Sequence, residues 1–286
     1  MSYIGRFAPT PTGPLHFGSL VAALASYLDA KANNGQWLLR IEDLDPPRED
    51  PTASTLIPSQ LEAHGLIWDG DVQFQSHHHK QYEDVLQILT DKNLLFPCNC
   101  SRKDLADQKG LHHGICNSTY QKPHALRFLV ENKTIKFIDS IYGQYQQALS
   151  NIGDQVLKRK DHLYAYQLAV LVDDFNSKVT NVVRGVDLLD NTPRQIHLLQ
   201  QLGWPVPTYL HIPLITNESG QKLSKQNQAK ALDLNNPAAN LLSALAFLNQ
   251  ALPEPTNQTS VNLILDWAIQ HWHPASITPS HAGIID

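Results

Sequence analysis

Apolar and polar positions alternate along the chain in blocks that predict strands and helices by turns. Tyr3–Phe7 is a short apolar run. Pro9, Pro11, Gly13 and Pro14 then forbid regular structure until about Leu15, which predicts a strand followed by a stiff loop. From Gly18 to Asn33, good helix formers place Leu20, Leu24, Tyr27 and Leu28 at helical spacing, and Gly35 ends the segment. Trp37–Ile41 is a compact apolar strand with Arg40 its only charge, followed by the acidic turn Glu42-Asp43-Leu44-Asp45-Pro46-Pro47. Strand, glycine-containing turn, helix and strand in this order predict a right-handed βαβ unit of a parallel sheet. Further helices are predicted over Thr52–His64, with Pro58 as a kink, and over Gln81–Asn93.

From about Leu95 to Asp174 the character changes. This stretch holds the cysteines, short β-like runs such as Ile135–Ile138, and the basic run Lys158-Arg159-Lys160. The α/β pattern resumes with a strand at Val179–Arg184. A helix follows, with Thr192 as N-cap and Pro193 at its first position, running to Leu202 and ended by Gly203. Tyr209–Ile215 reads as a strand, Asn217-Glu218-Ser219-Gly220 as a turn, and Pro237–Asn249 and Ser260–His271 as tail helices. There is no internal repeat, and His77-His78-His79 is too short and too internal to be a tag. The expected division is an α/β domain over 1–233 and a helical C-terminal subdomain over 234–286. The α/β halves are about 1–94 and 175–233, with an insert at about 95–174.

Composition narrows the class. With 286 residues, 42% hydrophobic and 17% charged, the chain can bury a sizeable core. No run approaches the roughly 18 apolar residues of a membrane helix, and the N-terminus lacks a basic stretch leading into an apolar one. Three cysteines cannot all pair. A soluble, cytoplasmic, globular protein is expected. The net charge of −5 is unevenly spread: no Lys or Arg follows Lys230, while Asp233, Glu254, Asp266 and Asp286 do. A polyanion must therefore dock on the first 230 residues, because phosphate contacts need cations.

Two clusters suggest chemistry. The string from Phe7 through Ala8, Pro9, Thr10, Pro11, Thr12, Gly13, Pro14, Leu15, His16 and Phe17 to Gly18 and Ser19 places His-x-Gly at a helix N-terminus. Free N–H groups and the positive end of the helix dipole attract phosphate there. His16 can donate to a phosphate oxygen, and Gly18 lets a nucleotide approach the backbone. Cys98-x-Cys100 and Cys116 are separated by fifteen residues, a loop able to close around zinc as three sulfurs and a fourth donor. The alternative is three buried free thiols.

The thirteen-residue string resembles the HIGH signature of class I aminoacyl-tRNA synthetases in its glutamyl and glutaminyl version. Lys222-Leu223-Ser224-Lys225-Gln226 is similar to their KMSKS loop, with Leu for Met and Gln for the last Ser. The resemblance runs from Tyr3 to about Ala231. It implies an α/β, Rossmann-like class I synthetase catalytic domain with an inserted zinc-bearing subdomain and a short helical tail. It further implies ATP, with magnesium, held by His16, Gly18, Ser19, Lys222, Ser224 and Lys225, of which His16 and Lys225 are catalytic. Glutamate would be held by Arg6, Phe7, Ala8, Pro9, Thr10, Glu42, Tyr166 and Arg184. A substrate with two carboxylates and one ammonium calls for about two cations and one anion. Arg6 and Arg184 would take the carboxylates, Glu42 the ammonium, and Tyr166 a hydrogen bond. In the family, a tyrosine four residues before the last zinc cysteine is the fourth ligand; here that position is His112, and His113, Tyr120 and His124 compete with it.

Full glutamyl-tRNA synthetases continue past the KMSKS-like loop into a long anticodon-binding region, whereas about 60 residues follow Lys225 here. An intact activating half with so short a tail resembles the glutamyl-Q tRNA(Asp) synthetase family. That resemblance implies activation of glutamate by ATP and its transfer to queuosine in the anticodon arm of tRNA(Asp), without an obligatory protein partner. The rivals are a trimmed synthetase charging a tRNA 3′ end, an adenylate-forming ligase for a small amine, and a catalytically dead zinc-bearing RNA-binding module. Intact His16, Gly18 and Lys225 argue against the last.

Overall fold

The computed structural model describes residues 2–101, 103–116, 123–216, 232–254, 260–280 and 283–284. β1 (Ile4–Phe7), α1 (Phe17–Ala32) and β2 (Gln36–Ile41) form the expected βαβ unit, with β1 and β2 parallel and Phe7 opposite Leu39. The return from α1 passes close under β1. A Cβ on Gly35 would lie 2.6 Å from Tyr3 O, so only glycine fits. α2 (Ala53–Ala63) accommodates Pro58 internally, and β3 (Gln73–Phe74) adds in parallel to β2 before α3 (His79–Asp91).

The middle of the chain is β-rich: β4 (Leu95–Cys98), β5 (Ala125–Phe128), β6 (Thr134–Asp139), β7 (Gly143–Ala148) and β8 (Gln155–Lys158). β4, β5 and β8 make a small antiparallel sheet. The β6–β7 hairpin instead joins a second sheet, of order β7-β6-β10-β9. α4 (Tyr166–Asn176) leads into β9 (Asn181–Gly185), α5 (Thr192–Leu202) and β10 (Thr208–Ile212), with β9 and β10 parallel. Thr180 N donates to Ile4 O (2.9 Å), which joins the β1 edge of the first sheet to the β9 edge of the second.

Two local expectations need correction. The strand expected over Tyr209–Ile215 stops at Ile212, because Pro213 has no N–H to donate, and resumes as β11 (Ile215–Thr216). Thr192 is the first helical residue of α5 and Asn191 its N-cap; the Thr192 hydroxyl accepts from Arg184 and donates to Leu188 O instead of capping. Gly203 closes α5 with a φ of +72°, as its position suggested. The expected turn at 217–220 lies outside the described residues.

The tail supplies α6 (Pro237–Phe247), α7 (Val261–Gln270) and β12 (Gly283–Ile284). Leu241 and Leu245 of α6 and Ile264 of α7 share one apolar core with Leu20, Leu24 and Leu28 of α1 and with Trp37 and Leu39 of β2. Asp29 of α1 accepts from Trp272 Nε1 (2.9 Å) and from the Tyr3 hydroxyl. A second core joins α3, α4 and α5 through Tyr82, Leu89, Leu168, Leu171 and Leu198. Among the described residues, no helix is long and apolar enough to cross a membrane.

Candidate active site

The carboxyl ends of β1, β9 and β10 open into a cavity of about 710 Å³ lined by Phe7, His16, Gly18, Gly185 and Ile212 among others. Open α/β sheets place ligands at this end of parallel strands. Pro9, Thr10 and Ser19 also line it, and Ala8 is half-buried between them. His16 is the N-cap of α1: its Nδ1 accepts from Ser19 N at 3.2 Å. An accepting Nδ1 puts the ring proton on Nε2. A donor and a helix N-terminus thus share the cavity wall, an arrangement that binds phosphate. Lys222, Ser224 and Lys225 lie outside the described residues.

A buried ionic cluster adjoins this cavity. Arg6 Nε donates to both oxygens of Asp174 (3.1 and 3.2 Å), and Arg40 Nη1 donates to Asp174 Oδ1 at 2.7 Å. Arg40 Nη2 reaches Glu42 Oε1 at a long 3.4 Å. Behind them Asp173 accepts from Gln75 (2.6 Å) and Tyr82 (2.8 Å) and pairs with His78 (2.7 Å). On the far side, Arg184 donates from Nε to His211 Nε2 (3.0 Å), from Nη2 to Thr192 Oγ1 (2.8 Å), and from Nη1 to the Tyr166 hydroxyl (3.5 Å). Arg6, Glu42 and Arg184 are buried and Tyr166 is half-buried.

Charge is unevenly settled within the cluster. Burial works against ionisation of Asp174, but Arg6 and Arg40 outweigh it and hold its carboxyl below the usual range. Glu42 goes the other way. Burial pushes it up to about 7, with only partial relief from Arg40 and Arg6, because Arg40 is committed to the closer Asp174. A carboxylate this poorly compensated gains from a ligand ammonium. Burial likewise raises the Tyr166 hydroxyl, keeping it neutral and able to donate.

The cysteines converge. Donor atoms of Cys98, Cys100, His112 and Cys116 all lie within 4.8 Å of one another. His112 Nδ1 is 3.0 Å from Asp154 Oδ2, which fixes the ring and leaves Nε2 for a metal. The loop before Asp154 grips the same histidine: Asp154 N donates to His112 O (2.7 Å), and a Cβ on Gly153 would lie 2.6 Å from that oxygen. Burial, with Cys98 and Cys116 beside it, pushes the Cys100 thiol up to about 11. Three sulfurs and an imidazole this close form a donor set that suits a tetrahedral cation. His113 is exposed and His124 half-buried, and neither belongs to the group; Tyr120 lies outside the described residues.

The basic run spans the gap between this group and the cavity. Lys160 Nζ donates to Asn99 O (2.5 Å) between two of the cysteines, while Arg159 approaches Asp45 (3.6 Å), which also pairs with the cavity-lining Arg48. Sequence reasoning missed Arg40, Asp173, Asp174, Asp139, His211 and Thr192, which hold Arg6, Glu42 and Arg184 directly or through one another. The available signals were Arg40 as the single charge in an apolar strand and two adjacent acids after the apolar run Leu168–Val172.

Residues 4–117 and 115–236 match the family of tRNA synthetases class I (E and Q), catalytic domain. The chain is similar to the glutamyl-Q tRNA(Asp) synthetase of Pseudomonas fluorescens, 48% identical over 279 residues that cover 96% of this chain and 94% of that one. It is equally similar to that of Neisseria meningitidis serogroup C, 48% identical over 293 residues covering 98% of each. Among solved structures it is similar to a glutamate tRNA ligase from Elizabethkingia meningosepticum in complex with its amino acid. There the TM-score is 0.79 at 22% identity, over 98% of this chain and 66% of that one, a likeness of fold.

Proposed function

Because the chain belongs to the class I tRNA synthetases of the E and Q type, within the glutamyl-Q tRNA(Asp) synthetase family, we propose that it glutamylates queuosine in tRNA(Asp). It would activate L-glutamate with ATP and pass the glutamyl group to queuosine at the wobble position. The observation carrying this reading is 48% identity along almost the whole length of relatives so named. The buried set of two arginines and one undercompensated glutamate supports the choice of amino acid.

In the first step a glutamate carboxylate oxygen attacks the ATP α-phosphorus. The new P–O bond forms as the bond to the bridging oxygen breaks, and pyrophosphate leaves with the electron pair. Arg184 and Arg6 fix the two carboxylates, Glu42 the ammonium, and Tyr166 adds a hydrogen bond. His16 Nε2–H, the α1 N-terminus and Lys225 offset charge on the phosphates, with magnesium arriving on the ATP. In the second step a queuosine ring hydroxyl attacks the adenylate carbonyl, AMP leaves, and the hydroxyl proton is released. Both steps rest on positioning and electrostatics, without a side-chain nucleophile. We assign Cys98, Cys100, His112 and Cys116 to a structural zinc that orders the 95–174 insert beside the basic run.

The test supplies ATP, radiolabelled glutamate and tRNA(Asp) from cells able or unable to make queuosine. Label is expected only on the modified RNA and on its anticodon-arm fragment. Lys225→Ala should slow glutamate-dependent ATP–pyrophosphate exchange at least about tenfold, roughly 1.4 kcal/mol of barrier. Label on the 3′ end of tRNA(Glu) would instead identify a trimmed synthetase. Activation with no labelled RNA would point to a small-amine ligase.

A further inference from the structure

We propose that His211 and Asp139 are positioning residues for the amino acid, holding Arg184 in place through one tautomer of the His211 ring. This role takes Arg184 as a glutamate ligand, as proposed above. Arginine carries only donors, so His211 Nε2, 3.0 Å from Arg184 Nε, must accept and the ring proton must sit on Nδ1. Nδ1 is 2.7 Å from Asp139 Oδ2, and both side chains are fully buried. A carboxylate accepts only, so Asp139 selects that tautomer. Asp139 is itself locked: its Oδ1 accepts from Ile141 N (3.0 Å) and Tyr142 N (2.9 Å) at the β6–β7 turn.

The far edge of the guanidinium is tied as well, from Nη2 to Thr192 Oγ1 (2.8 Å) and Leu188 O (3.4 Å). Nη1, which among the described residues has only the long bond to Tyr166, is the corner left for a substrate carboxylate. The charged groups bearing on His211 are Asp139 from β6, Arg184 from β9 and Asp187 from the turn after β9. Burial outweighs the acids and keeps the ring neutral. A hairpin from the 95–174 insert thereby sets the geometry of an amino-acid ligand on β9.

The decisive variant is Asp139→Asn. The two turn amides, at 3.0 and 2.9 Å, outweigh the single backbone N–H of His211 at 3.2 Å from Oδ2 and keep Oδ1 as the oxygen, so Nδ2 takes the place facing His211 Nδ1 and donates to it. The ring proton is then forced onto Nε2, where it opposes the Arg184 N–H. The expected result is a rise in the glutamate KM of at least about tenfold, with the ATP KM changed less than about twofold. His211→Gln can place its oxygen near the Nε2 position and should stay within about threefold of wild type. His211→Asn reaches only the Nδ1 position and should lose about tenfold. Adding His211→Gln to Asp139→Asn should recover the loss. Nitrogen NMR of labelled histidine should show Nδ1–H in the wild type and Nε2–H in Asp139→Asn.

An unchanged glutamate KM in Asp139→Asn, or equal losses in His211→Gln and His211→Asn, would overturn the positioning role. Arg184→Ala separates this from the underlying reading. If its glutamate KM is unchanged, Arg184 is no ligand. If that KM rises while Asp139→Asn and His211→Asn behave as wild type, only the positioning role is lost.

Discussion

Arg6 and Arg184 are both buried, yet the two sides of the proposed amino-acid site hold them by opposite means. Arg6 is paired with a carboxylate, Asp174, which a second guanidinium, Arg40, grips at the same time. Every described hydrogen bond of Arg184 goes to a neutral acceptor: His211 Nε2, Thr192 Oγ1, Leu188 O and the Tyr166 hydroxyl. The α4 side is electrically balanced before substrate arrives, whereas the β9 side keeps a positive charge in low dielectric for a ligand to balance. In the proposed carboxylate recognition, Arg6 would therefore contribute chiefly geometry and Arg184 chiefly attraction.

Three measurements can break or sharpen that contrast. Asp174→Asn should cost the most, because it strips the shared counter-charge from two buried guanidiniums; a loss of about 3–5 kcal/mol is expected in urea unfolding. A loss below about 1 kcal/mol would show that the α4 side is not held by charge pairing. Next, Arg184→Ala should raise the glutamate KM about a hundredfold, equivalent to roughly 2.7 kcal/mol, and destabilise the fold less than Asp174→Asn does. An equal rise in a folded Arg6→Ala would erase the distinction between the two sides.

The smallest effect is the pH dependence of Glu42. Protonated Glu42 cannot pair with an ammonium, so below its value of about 7 glutamate binding must expel a proton. Affinity should be level above that pH and fall by up to about tenfold per unit as pH drops below it. Calorimetric titration of the wild type and Glu42→Gln between pH 6 and pH 8 reads this directly. The variant should bind weakly with a flat profile, and a flat wild-type profile would remove Glu42 from the ammonium site.

What the sequence revealed follows the range of the interactions. The strand–loop–helix around His16, the βαβ unit and the Cys98/Cys100 pair are local patterns, and each is legible as a run of residues. The supports are not local: Arg40 meets Asp174 across 134 positions and His211 meets Asp139 across 72. No periodicity carries such pairings. α4 was not anticipated, although it brings Tyr166, Asp173 and Asp174 to one place, because its apolar positions belong to two faces buried at once. The strand break at Pro213 and the use of Thr192 on Arg184 were missed for a similar reason: a generic local preference yielded to a tertiary partner.

The packing of α6 and α7 on α1 also orders events in time. The ribosome emits α1 among the first forty residues, but Leu241, Leu245 and Ile264, which seal its apolar face, come some two hundred residues later. At about 5–20 residues per second, α1 waits ten seconds or more for these partners, with Leu20, Leu24 and Leu28 dependent meanwhile on the elements already made, β1 and β2 among them, for cover. Nascent chains at that stage present an unfinished apolar surface, a natural substrate for chaperones. Nucleotide affinity should thus appear late in synthesis, once α6 and α7, which do not line the cavity, have docked.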